Sequence, residues 1–182
     1  MKLEFKKIKP DDLAMVLKWR TMPEVSKYMY TDFEPSMEKQ KQWYDRISRD
    51  TSRRDWIIWV DDEPVGVLSI VKIDPVNRRC EWAYYLGSPN VRGKGIGKNV
   101  ELNVHEFVFG NLGLNKLCCE VLKSNDLVVK IHEKYGSVVE GDRRQQIYKN
   151  GEYLDIVEMG LLREDWEKNV RGKHEFIRAV FE

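Results

Sequence analysis

The chain has 182 residues and a mass of 21.6 kDa, which at roughly 150 residues per domain allows one compact domain with at most a terminal extension. Hydrophobic residues make up 42% and aromatics 11%, enough for a core that needs neither metal nor disulfide. Lys plus Arg number 31 and Asp plus Glu 30, a formal net charge of +1, which argues against a dedicated nucleic-acid binder.

In chain order, Leu3 and Phe5 alternate with charged residues and predict a short strand over 2–8. Pro10, Asp11 and Asp12 open a helix to about Met22, with Leu13, Val16, Leu17 and Arg20 at helical spacing, and Pro23 ends it. Turn chemistry over 32–36 leads into an amphipathic helix over 36–50 through Met37, Gln40, Trp43, Tyr44 and Ile47. Strands follow at 56–60, 65–73 and 80–86, joined by tight turns as an antiparallel meander. A glycine-rich loop then enters a helix over 96–109, and 117–122 reads as a buried strand. Asn125 starts a helix that Gly136 closes. Strands at 137–149 and 153–162 flank Asn150-Gly151, a strong hairpin signal. A charged helical tail runs from Arg163.

The element order predicts a single α/β domain over 1–163 and a C-terminal helical extension over 164–182. Three cysteines, Cys80, Cys118 and Cys119, are too few for a disulfide framework, and two of them fall in the buried strand, so reduced thiols are expected. The N-terminal MKLEFKKIKPDD lacks the apolar stretch of a signal peptide, and no run approaches the ~18 apolar residues of a membrane span. The expectation is a soluble cytoplasmic protein that engages neither membrane nor nucleic acid. His105 and His174 lack metal-ligand spacing with any Cys or acid, so no metal site is expected.

The most informative segment is Val91-Arg92-Gly93-Lys94-Gly95-Ile96-Gly97-Lys98, between a strand and a helix. Glycines let the backbone approach a ligand closely, and the helix N-terminus offers unpaired N–H groups and a positive dipole end. Arg92, Lys94 and Lys98 add cationic charge, so a phosphate or pyrophosphate is the natural ligand. A Walker A loop fails, because Asn99 follows Gly97-Lys98 and Arg92 stands where the first Gly is needed. A GxGxxG fingerprint fails as well, with Lys98 or Val100 in the third glycine position.

The pattern that remains, RxxGxG from Arg92, Gly95 and Gly97, resembles motif A of the GNAT superfamily of acyl-coenzyme A N-acetyltransferases. Asn125, opening the helix after the following strand, resembles the second landmark of that family. The resemblance implies a GNAT-type domain with a central mixed, mostly antiparallel sheet of about seven strands flanked by helices. It also implies direct transfer of acetyl from acetyl-CoA to a primary amine. Backbone amides from Val91 through Lys98 would cradle the pyrophosphate, and Asn125 and Tyr135 would contact the coenzyme. Glu81 stands where many members carry a carboxylate base, and its other reading is an ion-paired Glu beside Arg78 and Arg79. Ser69, a polar residue in an apolar strand, would bind substrate or relay a proton, or its hydroxyl would bond a neighbouring carbonyl. Many members place a Tyr seven residues after the Asn to protonate the coenzyme A sulfur; here that position is His132, and a protonated imidazole would serve as the acid in its place.

A closer resemblance concerns the acceptor. The segments 17–23, 28–33 and 66–70, together with Lys72 and Glu140-Gly141, are similar to the bacterial nucleotide-sugar N-acetyltransferases of pseudaminic acid biosynthesis. Those enzymes acetylate the 4-amino group of a UDP-linked 4-amino-4,6-dideoxy sugar. Met29, Tyr30, Phe33 and Trp43 would line an apolar wall for the deoxysugar methyl group, or serve as core residues. Arg20 and Lys72 would meet the nucleotide diphosphate. Two other readings stay open: acetylation of ribosomal-protein N-termini or another small amine, and a non-catalytic acetyl-CoA sensor. A homodimer is compatible with the paired strands near the C-terminus.

Overall fold

The computed structural model describes residues 1–31, 34–91 and 93–182. Strands β1 (Leu3–Lys7), β2 (Arg54–Val60), β3 (Glu63–Asp74) and β4 (Arg79–Leu86) form the expected antiparallel meander. The β2–β3 turn is the dipeptide Asp61-Asp62, with φ of 48° and 65°, the conformation a two-residue hairpin of this twist requires. β5 (Lys116–Leu122) runs parallel to β4, and the hairpin of β6 (Val138–Lys149) and β7 (Glu152–Leu162) adds to β5 through β7. Asn150 and Gly151 make that turn at φ of 50° and 81°.

An eighth strand was not expected. β8 (Val180–Phe181) pairs in parallel with β1, so the sheet has eight strands in the order β6-β7-β5-β4-β3-β2-β1-β8.

Helix α1 (Leu13–Thr21) follows a single tight turn over Pro10–Asp12, where the Asp12 carboxylate accepts the Lys9 N–H at 2.8 Å. Pro23 ends α1 and also opens a short helix, α2 (Pro23–Ser26), because a proline at the first helical position sacrifices no hydrogen bond. Helix α3 (Met37–Arg49) is capped by Ser36, whose hydroxyl accepts the Lys39 N–H at 3.2 Å. Leu13, Val16, Trp19 and Ile47 from these helices pack on Ile57 and Val67 of the sheet, each contributing roughly 1.5–3 kcal/mol by leaving water. The opposite face carries the larger core. There α4 (Ile96–His105) buries Ile96, Val100 and Val104 against Leu68, Ile70, Trp82 and Leu117, and α5 (Asp126–Lys134) covers the β5 side. The helix predicted over 96–109 keeps α-geometry only to His105 and widens over Glu106–Asn111, where the Leu112 N–H reaches the Phe107 carbonyl at 2.9 Å.

The tail departs most from expectation. It is helical only over α6 (Arg163–Asn169), turns at Gly172 with φ of 72°, and then crosses the molecule without helical structure to β8. The Asn103 side chain donates to the Ile177 carbonyl at 2.7 Å and accepts the Ala179 N–H at 2.8 Å, while Asn99 accepts the Ile177 N–H at 2.7 Å. Phe181 stacks on Phe107 at 4.4 Å and meets Phe5 at 4.6 Å. Phe176, Ile177, Val180 and Phe181 mimic a helical period, but these asparagine amides and the open edge of β1 satisfy an extended backbone instead.

Among the described residues, no helix is long and apolar enough to cross a membrane. All three cysteines are free thiols, Cys80 and Cys119 buried and Cys118 half-buried; burial pushes the Cys80 thiol up to about 12.

Candidate active site

The parallel pair β4–β5 is hydrogen-bonded only through Arg79↔Lys116, Cys80↔Leu117 and Glu81↔Cys118. Beyond these positions β4 continues to Leu86 and β5 to Leu122 without pairing to each other. The divergence leaves facing backbone edges that an extended ligand can satisfy. The glycine loop lies beyond the end of β4, leading into α4. Gly93 and Gly95 take φ of 76° and 71°, and each has open space where a side chain would stand. Gly95 is also the cap of α4, whose first N–H groups have no intrahelical partner. Val91 and Ile96 are buried in the main core, so they offer the loop only their backbone. Lys94 is exposed and Lys98 half-buried. Arg92, the third cation expected here, lies outside the described residues, as does Phe33.

The two faces of this slot carry different chemistry, because successive strand residues point to opposite sides. On the face shared with α1 and α3 stand Glu81 and Ala83 of β4, Ser69 of β3, and Cys118 and Glu120 of β5. Glu81 is ion-paired, not with Arg78 or Arg79, but with Lys72, whose Nζ lies 2.8 Å from a carboxylate oxygen. Lys72 sits at a register shift of β3 with φ of 51°, a bulge that aims its amine across at β4. The pairing raises the Lys72 ammonium above the usual lysine range. A cavity of about 300 Å³ opens between Lys72, Arg79, Glu81 and Cys118.

The Ser69 hydroxyl donates to Asp55 at 2.6 Å, and Arg53 holds Asp55 through two hydrogen bonds of 2.7 Å. Its partner is thus a carboxylate across the strand pair, not a backbone carbonyl. Tyr30 reaches the slot from the segment after α2: burial first, then the charge of Glu120, raises its phenol, and the charge of Glu81 adds to the effect. That segment is anchored by Lys149, whose buried ammonium donates to the carbonyls of Ser26 at 2.6 Å and Met29 at 2.7 Å. Burial raises the Tyr85 phenol, and the charge of Arg20 beside it opposes that rise. Trp43 packs against the core under α1 and α3, which makes it a support for this face.

The face shared with α4 and α5 holds His132. It is 4% exposed and edge-on to Trp82, with ring centroids 5.3 Å apart. Trp82 is the first β4 residue past the paired stretch, so the imidazole sits at the level where the strands part. Its Nδ1 lies 2.9 Å from Oε1 of Glu101, a wholly buried carboxylate on α4. Burial raises the Glu101 carboxyl, and the hydrogen bond shared with His132 opposes that rise. Tyr135 is buried in the core and edge-on to His174 at 5.2 Å. Asn125 caps α5, its carbonyl accepting the Val128 N–H at 3.0 Å. Among the described residues no three His, Cys, Asp or Glu side chains are grouped to hold a metal ion.

Sequence reasoning missed Glu101, Asp55, Glu120 and Lys149. Glu101 had a readable signal: it and His105 stand four apart beside the apolar stripe of a helix, where a charge needs a partner.

A family profile described as an acetyltransferase (GNAT) domain matches residues 2–138. Spermidine N(1)-acetyltransferase of Escherichia coli (strain K12) is 27% identical over 157 residues, 86% of this chain and 84% of that protein. Acetyltransferase PseH of Campylobacter jejuni (serotype O:23/36, strain 81-176) is 26% identical over 133 residues, 71% of this chain and 79% of its own. Among solved structures, spermidine N-acetyltransferase from Vibrio cholerae in complex with CoA and spermine superposes with a TM-score of 0.84 at 20% identity, over 91% of this chain and 98% of that one. At that identity the likeness is one of fold.

Proposed function

The chain belongs to the GNAT acetyltransferase family, and from that premise we propose that its acceptor is the 4-amino group of a UDP-linked 4-amino-4,6-dideoxy sugar. It is an acetyl-CoA-dependent N-acetyltransferase. The glycine loop from Val91 to Lys98 and the unpaired N–H groups of α4 suit the coenzyme pyrophosphate, and the parted strands suit its extended arm.

The transfer needs a neutral amine, a stabilised oxyanion and a proton for the departing sulfur. The nitrogen lone pair forms the new C–N bond at the thioester carbonyl, and the C–S bond then breaks. Glu81 takes the surplus proton from the amine, and His132 gives one to the thiolate, so one proton enters the enzyme as another leaves. Ser69, its hydroxyl committed to Asp55, orients the acceptor through its oxygen lone pairs.

The observation that carries the sugar reading is the pairing of the acidic groups on this part of the sheet. Glu81 is held by Lys72 at 2.8 Å, Glu140 by Lys116 at 2.6 Å and Glu158 by Arg143 at 2.6 Å. A polycationic acceptor calls for carboxylates that lack cations of their own, whereas an uncharged sugar ring with an anionic diphosphate suits a face of mixed sign. The motif similarity to nucleotide-sugar N-acetyltransferases supports the same acceptor. A polyamine is the second reading, favoured by the relatives named as spermidine acetyltransferases and by Glu120 opposite Tyr30.

The test is free-thiol release from acetyl-CoA with three acceptors: the UDP-4-amino-4,6-dideoxy sugar, spermidine, and a panel of N-terminal peptides. Turnover on the sugar with a kcat/KM at least tenfold above the others is the expected result. Preference for spermidine or a peptide overturns the sugar reading and leaves the acetyltransferase standing; no turnover on any of them, with acetyl-CoA bound, indicates a sensor or a different amine.

A further inference from the structure

We infer that Glu101 is the positioning residue for His132: its carboxylate accepts the Nδ1–H and leaves Nε2 as the nitrogen that delivers the proton to the departing sulfur. The inference rests on the reading of His132 as the acid.

A carboxylate at 0% exposure on an apolar helix face costs stability unless something compensates it. The hydrogen bond that partners Glu101 is the one to His132 at 2.9 Å, spanning 31 residues. One turn along α4, His105 Nε2 lies 4.0 Å from the same oxygen. Burial, then the charges of His132 and His174, push His105 down to about 3, so it stays neutral and does not compete as a cation. The other titratable groups near the pair are Tyr84, Tyr135 and Cys119, all raised by burial first and then by the Glu101 charge. They remain protonated and uncharged at neutral pH, which leaves Glu101 as the neighbour able to accept from the imidazole.

The chemistry explains why such a residue accompanies this substitution. A phenol has a single proton on a single atom. An imidazolium carries a proton on each of two nitrogens, and only a ring held as the Nδ1–H tautomer gives up and regains its second proton at Nε2. A buried carboxylate on Nδ1, with the Trp82 ring edge-on, fixes both tautomer and ring plane, as second-layer carboxylates do for other functional histidines. When the C–S bond breaks, the sulfur keeps the bonding electrons and takes the Nε2 proton of the imidazolium; the neutral imidazole that remains keeps its Nδ1–H, hydrogen-bonded to Glu101, and regains a proton at Nε2 from solvent.

The test begins with the wild-type protein. Long-range proton–nitrogen NMR correlations of the neutral imidazoles are expected to give the Nδ1–H tautomer for His132, assigned by loss of its signals in His132→Tyr. The Nε2–H tautomer means that Glu101 is the donor and overturns the inference, whether or not any variant folds. In kinetics, Glu101→Gln is expected to lower kcat by about tenfold or more, within the ~100-fold or greater that a general acid supplies, with KM for acetyl-CoA unchanged. In the His132→Tyr background the same substitution is expected to cost less than about threefold, because a phenol needs no tautomer control. Equal losses in both backgrounds mark a merely structural carboxylate and overturn the inference. If His132→Phe keeps full kcat, the acid reading falls and this inference with it. If His132→Phe loses activity and Glu101→Gln does not, only the role of Glu101 falls.

Discussion

A Cβ at Gly97 would stand 2.6 Å from the Tyr84 hydroxyl oxygen. The first turn of α4 is therefore pressed onto β4 on the strand's far side from Glu81, within the unpaired stretch. Of the three loop glycines, Gly93 and Gly95 answer to backbone conformation, and Gly97 answers to this close approach.

Gly97→Ala should raise KM for acetyl-CoA by about tenfold and cost about 1–3 kcal/mol of stability, the usual effect of forcing an atom into a filled site. Tyr84→Phe removes the opposing oxygen; the next atom, Cζ, is 3.7 Å away at ordinary contact distance. Gly97→Ala in the Tyr84→Phe background should therefore bind acetyl-CoA nearly as the Tyr84→Phe parent does. Thermal melts and initial rates on the four proteins check both expectations, and an undiminished penalty in the double variant would mean that the strain lies elsewhere.

Glu81→Gln should lower kcat by about 100-fold, the contribution of a positioned base, while the KM for acetyl-CoA stays within a factor of about two of the wild type. Lys72→Met should act differently, raising the KM of the acceptor more than it lowers kcat, because the exposed Lys72 ammonium, while paired with Glu81, has further N–H donors to offer a diphosphate. Initial-rate measurements over both substrates separate the two patterns.

Lys149 ties the β6–β7 hairpin to the chain that carries Met29 and Tyr30. Lys149→Met leaves two carbonyls without their donor, a loss of about 1–3 kcal/mol. The acceptor KM is expected to rise severalfold with little change for acetyl-CoA. A change confined to the acetyl-CoA KM would show that the Tyr30 segment does not line the acceptor site.

His105 fixes a pH dependence. Its proton affinity falls from a normal 6.5 to about 3 on folding, so between those values the unfolded chain binds the additional proton. Stability from this group is complete above pH 6.5 and is lost as the pH falls toward 3. Glu101 works in the opposite sense: its raised carboxyl favours the folded state at acid pH and loses that contribution as the pH climbs through its folded value. His105→Leu should flatten the decline of the melting temperature between pH 6.5 and pH 4, and a decline as steep as the wild type's would refute the assignment.

The hairpin at Asn150-Gly151, the meander and the glycine loop were legible because each rests on local backbone chemistry. The Ser69–Asp55 contact was not. Counting back from the Asp61-Asp62 turn puts Asp55 opposite Leu68, but a register shift between Ile58 and Trp59 moves it to Ser69, and one residue of slip exchanges the faces of a strand. The sequence does not announce that shift. Glu101 and His132 were each visible on helices, yet their meeting depends on how α4 and α5 pack on one face of the sheet. The tail is helical over α6 as its sequence implies, but beyond it the apolar spacing suits a helix while asparagine amides 74 to 78 residues away decide an extended backbone.

The closing of the β1 edge has a temporal side. The Trp56 indole donates to the Glu182 carbonyl at 3.0 Å across 126 residues of chain, and Phe181 seals the rings of Phe5 and Phe107. During synthesis, β1 and its aromatic neighbours emerge long before the segment that covers them, leaving an unpaired strand edge and exposed rings on the nascent protein. Contacts this distant in sequence are slow to form, and such edges recruit other chains while they wait. Docking of this segment on β1 is thus expected to be slow, and until it docks the strand edge is open to association with other chains.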